Sequence, residues 1–115
     1  MQPVNRGSVV SDWAWCAGFF DGEGCTSILK AKRDRYSYIR MSISQKNISC
    51  LEKFQRIMGV GKIYRSNTRN IYSWDCYKKE DVLYVFEKMR PFLSEIKIDQ
   101  FYTALEIVDN NSKKI

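Results

Sequence analysis

The spacing of apolar and polar positions changes several times along the chain, and each change predicts an element. From Trp13 to Phe20 almost every position is apolar, and Ser11 can cap a short helix over residues 12–20 that breaks at Gly22 and Gly24. Residues 25–33 read as a strand. Between Tyr36 and Gln45 the period drops to two: Ile39, Met41 and Ile43 point one way, Tyr38, Arg40 and Ser42 the other. That alternation marks a half-buried strand with an aromatic and basic open face. Asn47 can cap a second helix, with Ile48, Leu51, Phe54, Ile57 and Met58 on one side and Gly59 after it. Residues 63–66 and 71–77 then flank a turn-prone stretch, as a hairpin does. In its second strand Tyr72, Trp74 and Cys76 oppose Ser73 and Asp75. A third helix is expected over 80–90, using Val82, Phe86 and Met89 and stopped by Pro91. A last helix over 99–108 places Phe101, Ala104, Leu105 and Val108 at helical spacing. The order α-β-β-α-β-β-α-α predicts an α+β fold: an antiparallel sheet with helices on one face.

Composition narrows the class. A length of 115 residues suits one domain, here with its core over about 11–108 and loose ends at 1–10 and 110–115. Six Phe, seven Tyr and three Trp are costly to leave in water, so the chain is expected to be globular. No run of 18 apolar residues predicts a membrane span, and the first residues lack the features of a signal peptide. The expected location is the cytoplasm or an organelle with its own genome. The absence of histidine excludes imidazole bases and histidine-based metal sites. Four cysteines without a CxxC pair point to reduced thiols rather than zinc. The net charge of +6 suits a polyanionic partner, and its placement sharpens that expectation. The strand-like stretches 24–46 and 61–77 carry +5 and +2, whereas 78–115 is balanced.

The first helix presents a further problem. An all-round apolar helix must be covered on all sides, and small residues at Ala14, Ala17 and Gly18 would let a second helix approach closely. The simplest cover is a second copy of the chain. Asp21 and Glu23 follow at the helix C-terminus, where acids oppose the dipole. A locally unfavourable choice beside a buried helix points to function. Two such helices crossing at a two-fold axis bring carboxylates together, which a divalent cation between them would stabilise.

Cys16-Ala17-Gly18-Phe19-Phe20-Asp21-Gly22-Glu23-Gly24 resembles the signature of the LAGLIDADG homing endonucleases. Residues 42–47, 58–63 and 91–93 with Lys97 and Gln100 are similar to further family segments, in the family's order. The resemblance implies an αββαββα saddle, paired through Trp13, Ala14, Ala17, Gly18 and Asp21 of the first helix into a homodimer. It implies hydrolysis of both strands of a long pseudo-palindromic DNA, with two or three shared Mg²⁺ ions. Mn²⁺ would substitute, and Ca²⁺ would support binding without cutting. No small-molecule cofactor or membrane is implied. Glu23 and the Gly22 carbonyl would hold metal, Gln45 would orient water, and Lys97 would polarise water or stabilise phosphate. Asp21 would support the helix end.

Outward strand residues would read bases: Ser27, Leu29, Tyr36, Tyr38, Arg40, Ser42, Tyr64, Ser66, Ser73 and Asp75. Lys30, Lys32, Arg33, Lys46 and Arg69 would add basic contacts. Strict alternation puts Leu29 outward and Lys30 inward, so Lys30 needs a bulge or an early strand end to reach DNA. A binding-only relative, an RNA maturase or cleavage-dead DNA binder, would keep the scaffold without needing Glu23. An unrelated RNA-binding module would leave the first helix unexplained.

Overall fold

The computed structural model describes residues 10–30, 37–67 and 70–112, with side chains to residue 110. The elements are α1 (Val10–Glu23), β1 (Gly24–Lys30), β2 (Ser37–Gln45), α2 (Ile48–Met58), β3 (Lys62–Arg65), β4 (Tyr72–Cys76), α3 (Lys79–Met89) and α4 (Glu95–Ser112). A 3₁₀ turn, Arg90–Phe92, holds Pro91 between α3 and α4. The expected element order is therefore observed.

Two helices are longer than the sequence pattern predicts. Ser11 lies inside α1 instead of capping it, and the helix runs on through Gly22 to Glu23. Gly22 keeps a negative φ, so it continues the helix rather than breaking it. At the other end, α4 starts four residues before Asp99 and takes in residues 110–112 of the expected tail. By contrast, α2 follows its local signals. The Asn47 side chain accepts from the Ser49 amide at 2.9 Å, and Gly59 ends the helix at φ 76°.

All strands pair antiparallel in the order β1-β2-β4-β3. Ile39, Met41, Ile43, Trp74 and Cys76 are buried on the face that takes the helices. Phe20, Phe54, Phe86 and Phe101 complete the core, with Phe86 stacked on Phe101 and Phe54 edge-on to Trp74 at 4.8 Å. Each fully buried ring stabilises the fold by roughly 1.5–3 kcal/mol. The opposite face stays open. No described helix is long and apolar enough to cross a membrane.

The register of β1 settles its alternation. Ser27 pairs with Arg40 and Leu29 with Tyr38, so both point to the open face. No bulge intervenes, and Lys30 falls on the helix side opposite Ser37, exposed at the strand end. The expectation that Lys30 joins the open face is thus corrected. Lys32, Arg33, Tyr36 and Arg69 lie outside the described residues.

Candidate active site

The site forms where α1 runs into β1. Phe20 is fully buried beneath this junction, and a Cβ on Gly24 would fall within its ring. Glycine is therefore needed for the helix to enter the strand this closely. Glu23, the last residue of α1, is exposed. It lines an open depression of about 220 Å³ with Ser44, Gln45, Lys46 and Ile71. Residues 22 positions apart thus converge on one small volume, because β1 folds back along β2.

Asp21 and Lys97 secure the same corner. Both Asp21 carboxylate oxygens accept from the Ser94 amide at 3.1 Å, and one also accepts from the Ser94 hydroxyl at 3.0 Å. Asp21 thereby fixes the start of α4, offsetting its poor placement at the end of α1. Lys97 Nζ donates to the Gly24 carbonyl at 2.7 Å and lies 6.0 Å from the Phe20 ring centre. Its cation complements the negative end of α1. Lys97 is not among the residues lining the depression, but its partner Gly24 is bonded directly to Glu23.

The donor set fits a hard divalent cation. The last four carbonyls of a helix have no intrahelical partner, so the Gly22 carbonyl is free of the helix ladder beside the Glu23 carboxylate. Such oxygens suit Mg²⁺ or Ca²⁺ and not a soft metal. Among the described residues no group of three or more Cys, Asp or Glu gathers at one point. Glu23 is the carboxylate among the residues lining the depression.

Only part of the expected pairing face of α1 is open. Ala17 is fully buried in the chain's own core, and Trp13 packs against that core with Lys88 5.3 Å from its ring centre. Full burial corrects the assignment of Ala17 to a dimer interface, whereas Trp13 is only half-buried. The outer side carries Ser11, Ala14, Gly18 and Gly22, and a Cβ on Gly18 or Gly22 would meet nothing within 4 Å. Helical geometry explains this: positions 14, 18 and 22 share a stripe, whereas 13, 16, 17 and 20 lie on the other side.

The open sheet face carries Tyr38, Arg40, Ser42, Tyr64, Ser73 and Asp75, as alternation predicts. Ser66 follows β3, its amide donating to the Ile71 carbonyl at 2.9 Å. Lys46 is exposed at the rim of the depression. Cys25, Ser44 and Lys62 also face outward but were not expected there; carrying the same alternation one step further along each strand reaches them. Ser44 and Ser73 face each other across the strands, Oγ to Oγ at 3.1 Å.

Comparisons with known proteins agree with this geometry. Residues 16–108 match the sequence pattern of the LAGLIDADG endonuclease family. The chain is 33% identical over 86 residues to the intron-encoded DNA endonuclease ai2b of Dictyostelium discoideum, covering 72% of this chain and 33% of that one. It therefore spans about a third of that relative's length. The fold is similar to the homing endonuclease I-CvuI bound to its target with Ca²⁺ (TM-score 0.73, 19% identity, 90% of this chain and 71% of that one). It is also similar to the LAGLIDADG meganuclease I-AabMI bound to uncleaved DNA (TM-score 0.68, 26% identity, 88% of this chain and 38% of that one). With its signature on α1 and the match extending to Val108, the chain belongs to the LAGLIDADG endonuclease family.

Proposed function

We propose that two copies of this chain form a site-specific DNA endonuclease that hydrolyses both strands of a pseudo-palindromic target. The observation that carries this reading is the exposed Glu23 carboxylate, set in a depression with Gln45 at the foot of an open sheet face that carries Arg40 and Lys62. The intron-encoded DNA endonuclease ai2b supports it as a relative, and the DNA-bound neighbours support DNA as the partner. The stripe Ala14, Gly18 and Gly22 on α1 is the surface through which the two copies meet, setting one Glu23 from each beside the two-fold axis.

Glu23 and the Gly22 carbonyl of each copy hold the divalent ions, two or three in all. When bound, the ions supply Lewis-acid chemistry to the scissile phosphodiester and the attacking water. Gln45 hydrogen-bonds and orients water in the depression. Lys97 supplies positive charge where the phosphate gains negative charge in the transition state. Strand residues of the open face read bases from the major groove, while Lys46 neutralises phosphate. Histidine has no part in this scheme, which agrees with its absence. The enzyme works where its target genome lies, in the cytoplasm or an organelle.

Cleavage selection from a randomised pseudo-palindromic duplex library tests the proposal. Wild type in Mg²⁺ or Mn²⁺ should cut a defined family of sequences, and Ca²⁺ should support binding without cutting. Glu23→Gln should abolish cutting and retain binding, which rests on phosphate and base contacts. Cleavage by Glu23→Gln at the wild-type rate would remove Glu23 from the site. Specific binding of an RNA, with no cutting of any duplex, would favour a maturase instead.

A further inference from the structure

Side chains from β2, β3 and β4 meet on the open face of the sheet. Asp75 is only 7% exposed, although no described helix covers that face. Its Oδ2 accepts a hydrogen bond from the Tyr64 phenol and lies 3.6 Å from Arg40 Nη1. Arg40 is itself half-buried, and its enclosed Nε has no hydrogen-bond partner among the described residues. Its side chain as a whole is still 32% exposed, so other parts of it reach the surface. The guanidinium turns Nη1 to Asp75. Guanidinium N–H groups match O6 and N7 of guanine in the major groove.

We propose that Asp75 is a positioning residue that holds Arg40 so that its guanidinium reads one guanine in each half-site. This deepens the DNA-binding reading above and rests on it. The alternative role, Asp75 as a direct reader, would select cytosine through its N4 amino group. Burial and the two existing partners of Oδ2 argue against that. Tyr64 locks the carboxylate from the far side. Its phenol is pushed up to about 12, first by burial and then by its hydrogen bond to Asp75 and that group's charge. It therefore remains a donor at neutral pH, and Asp75 keeps a fixed orientation toward Arg40. Alternation along the strands presents these three residues as separate readers. Their contacts make them one unit with a single specificity.

The test is a binding selection on randomised duplex DNA with the full chain, in Ca²⁺, using wild type, Arg40→Ala, Asp75→Asn and Tyr64→Phe. Wild type should enrich guanine at one position per half-site, and Arg40→Ala should erase that preference. Asp75→Asn keeps the side-chain size but loses the charge, and should lower the guanine preference there about tenfold. Other positions and non-specific affinity should stay within about twofold. Tyr64→Phe should weaken the same position by less. Adding Asp75→Asn to Arg40→Ala should cost nothing more at that position, the mark of coupled residues. A cytosine preference lost in Asp75→Asn would overturn the proposal, and so would an even loss across all positions. Wild type that binds no duplex specifically would overturn the DNA-binding reading itself, before any variant is compared.

Discussion

Lys97 brings its cation to the C-terminal end of α1, and its hydrogen bond to the Gly24 carbonyl gives it two separable effects. Losing that bond should lower stability by about 0.5–1.5 kcal/mol. Losing the charge should act on the transition state. Lys97→Met keeps the stem, so we expect single-turnover cleavage to fall about 10²–10³-fold with little change in duplex affinity. Weaker affinity at an unchanged cleavage rate would make Lys97 a phosphate anchor. A different pair of residues sets the pH response. Cys16 and Cys76 are pushed up to about 12, chiefly by burial, from 9.0. The folded state thus keeps both protons after the unfolded chain begins to lose its own. Stability from this source is present below pH 9 and is lost as pH rises toward 12. The loss should be on the order of 1 kcal/mol per pH unit per thiol. Urea midpoints at pH 8 and pH 10.5 measure it, and Cys76→Val should reduce the drop. At this scale the sequence marked Glu23, Gln45 and Lys97 through a motif, and their neighbourhood followed. It could not show that Asp75 is buried or Ala17 internal, because alternation and apolarity name a side and not the neighbours on that side.

Among the elements, α1 and α4 both outrun their sequence patterns. Gly22 and Gly24 suggested a break in α1, yet the helix continues to Glu23 because tertiary packing decides the matter. Phe20 is held between the sheet and the helices, and the Asp21–Ser94 hydrogen bonds tie the last turn to α4. The strands were more legible. Their two-residue period survives as the buried row Ile39, Met41 and Ile43, with Trp74 opposite Ile43 in the next strand. The start of α4 was missed although Ser94 marks it locally, its hydroxyl accepting from the Lys97 amide at 3.4 Å; the Asp21 contact that ties Ser94 down comes from 73 residues away. Gly24 gives the test at this scale. Alanine there would overlap the Phe20 ring and force the helix–strand junction apart. Gly24→Ala should destabilise the fold by about 1–3 kcal/mol, the usual cost of overpacking, as read from urea unfolding. An unchanged midpoint would mean that the junction is loose and that Glu23 is not held by it.

For the molecule as a whole, the open question is what covers the outer side of α1. The helix buries Cys16, Ala17 and Phe20 in its own chain and presents Ala14, Gly18 and Gly22 outward. Gly18 contrasts with Gly24: a Cβ added at Gly18 meets nothing within 4 Å, so the isolated chain gains nothing from glycine there. Within a helix, glycine costs about 0.8–1 kcal/mol relative to alanine. A helix that accepts this cost at exposed positions gains from close approach of another backbone. Gly18→Leu should therefore leave the fold of each chain intact, with unchanged far-ultraviolet circular dichroism and no loss in its urea midpoint at low concentration. It should still prevent two α1 helices from packing. Sedimentation at micromolar concentration should show wild type as a dimer and Gly18→Leu as a monomer. The variant should also lose double-strand cleavage, because the two Glu23 carboxylates no longer share an axis. A wild-type chain that sediments as a monomer and cuts at an unchanged rate as Gly18→Leu would show that one copy carries the whole site.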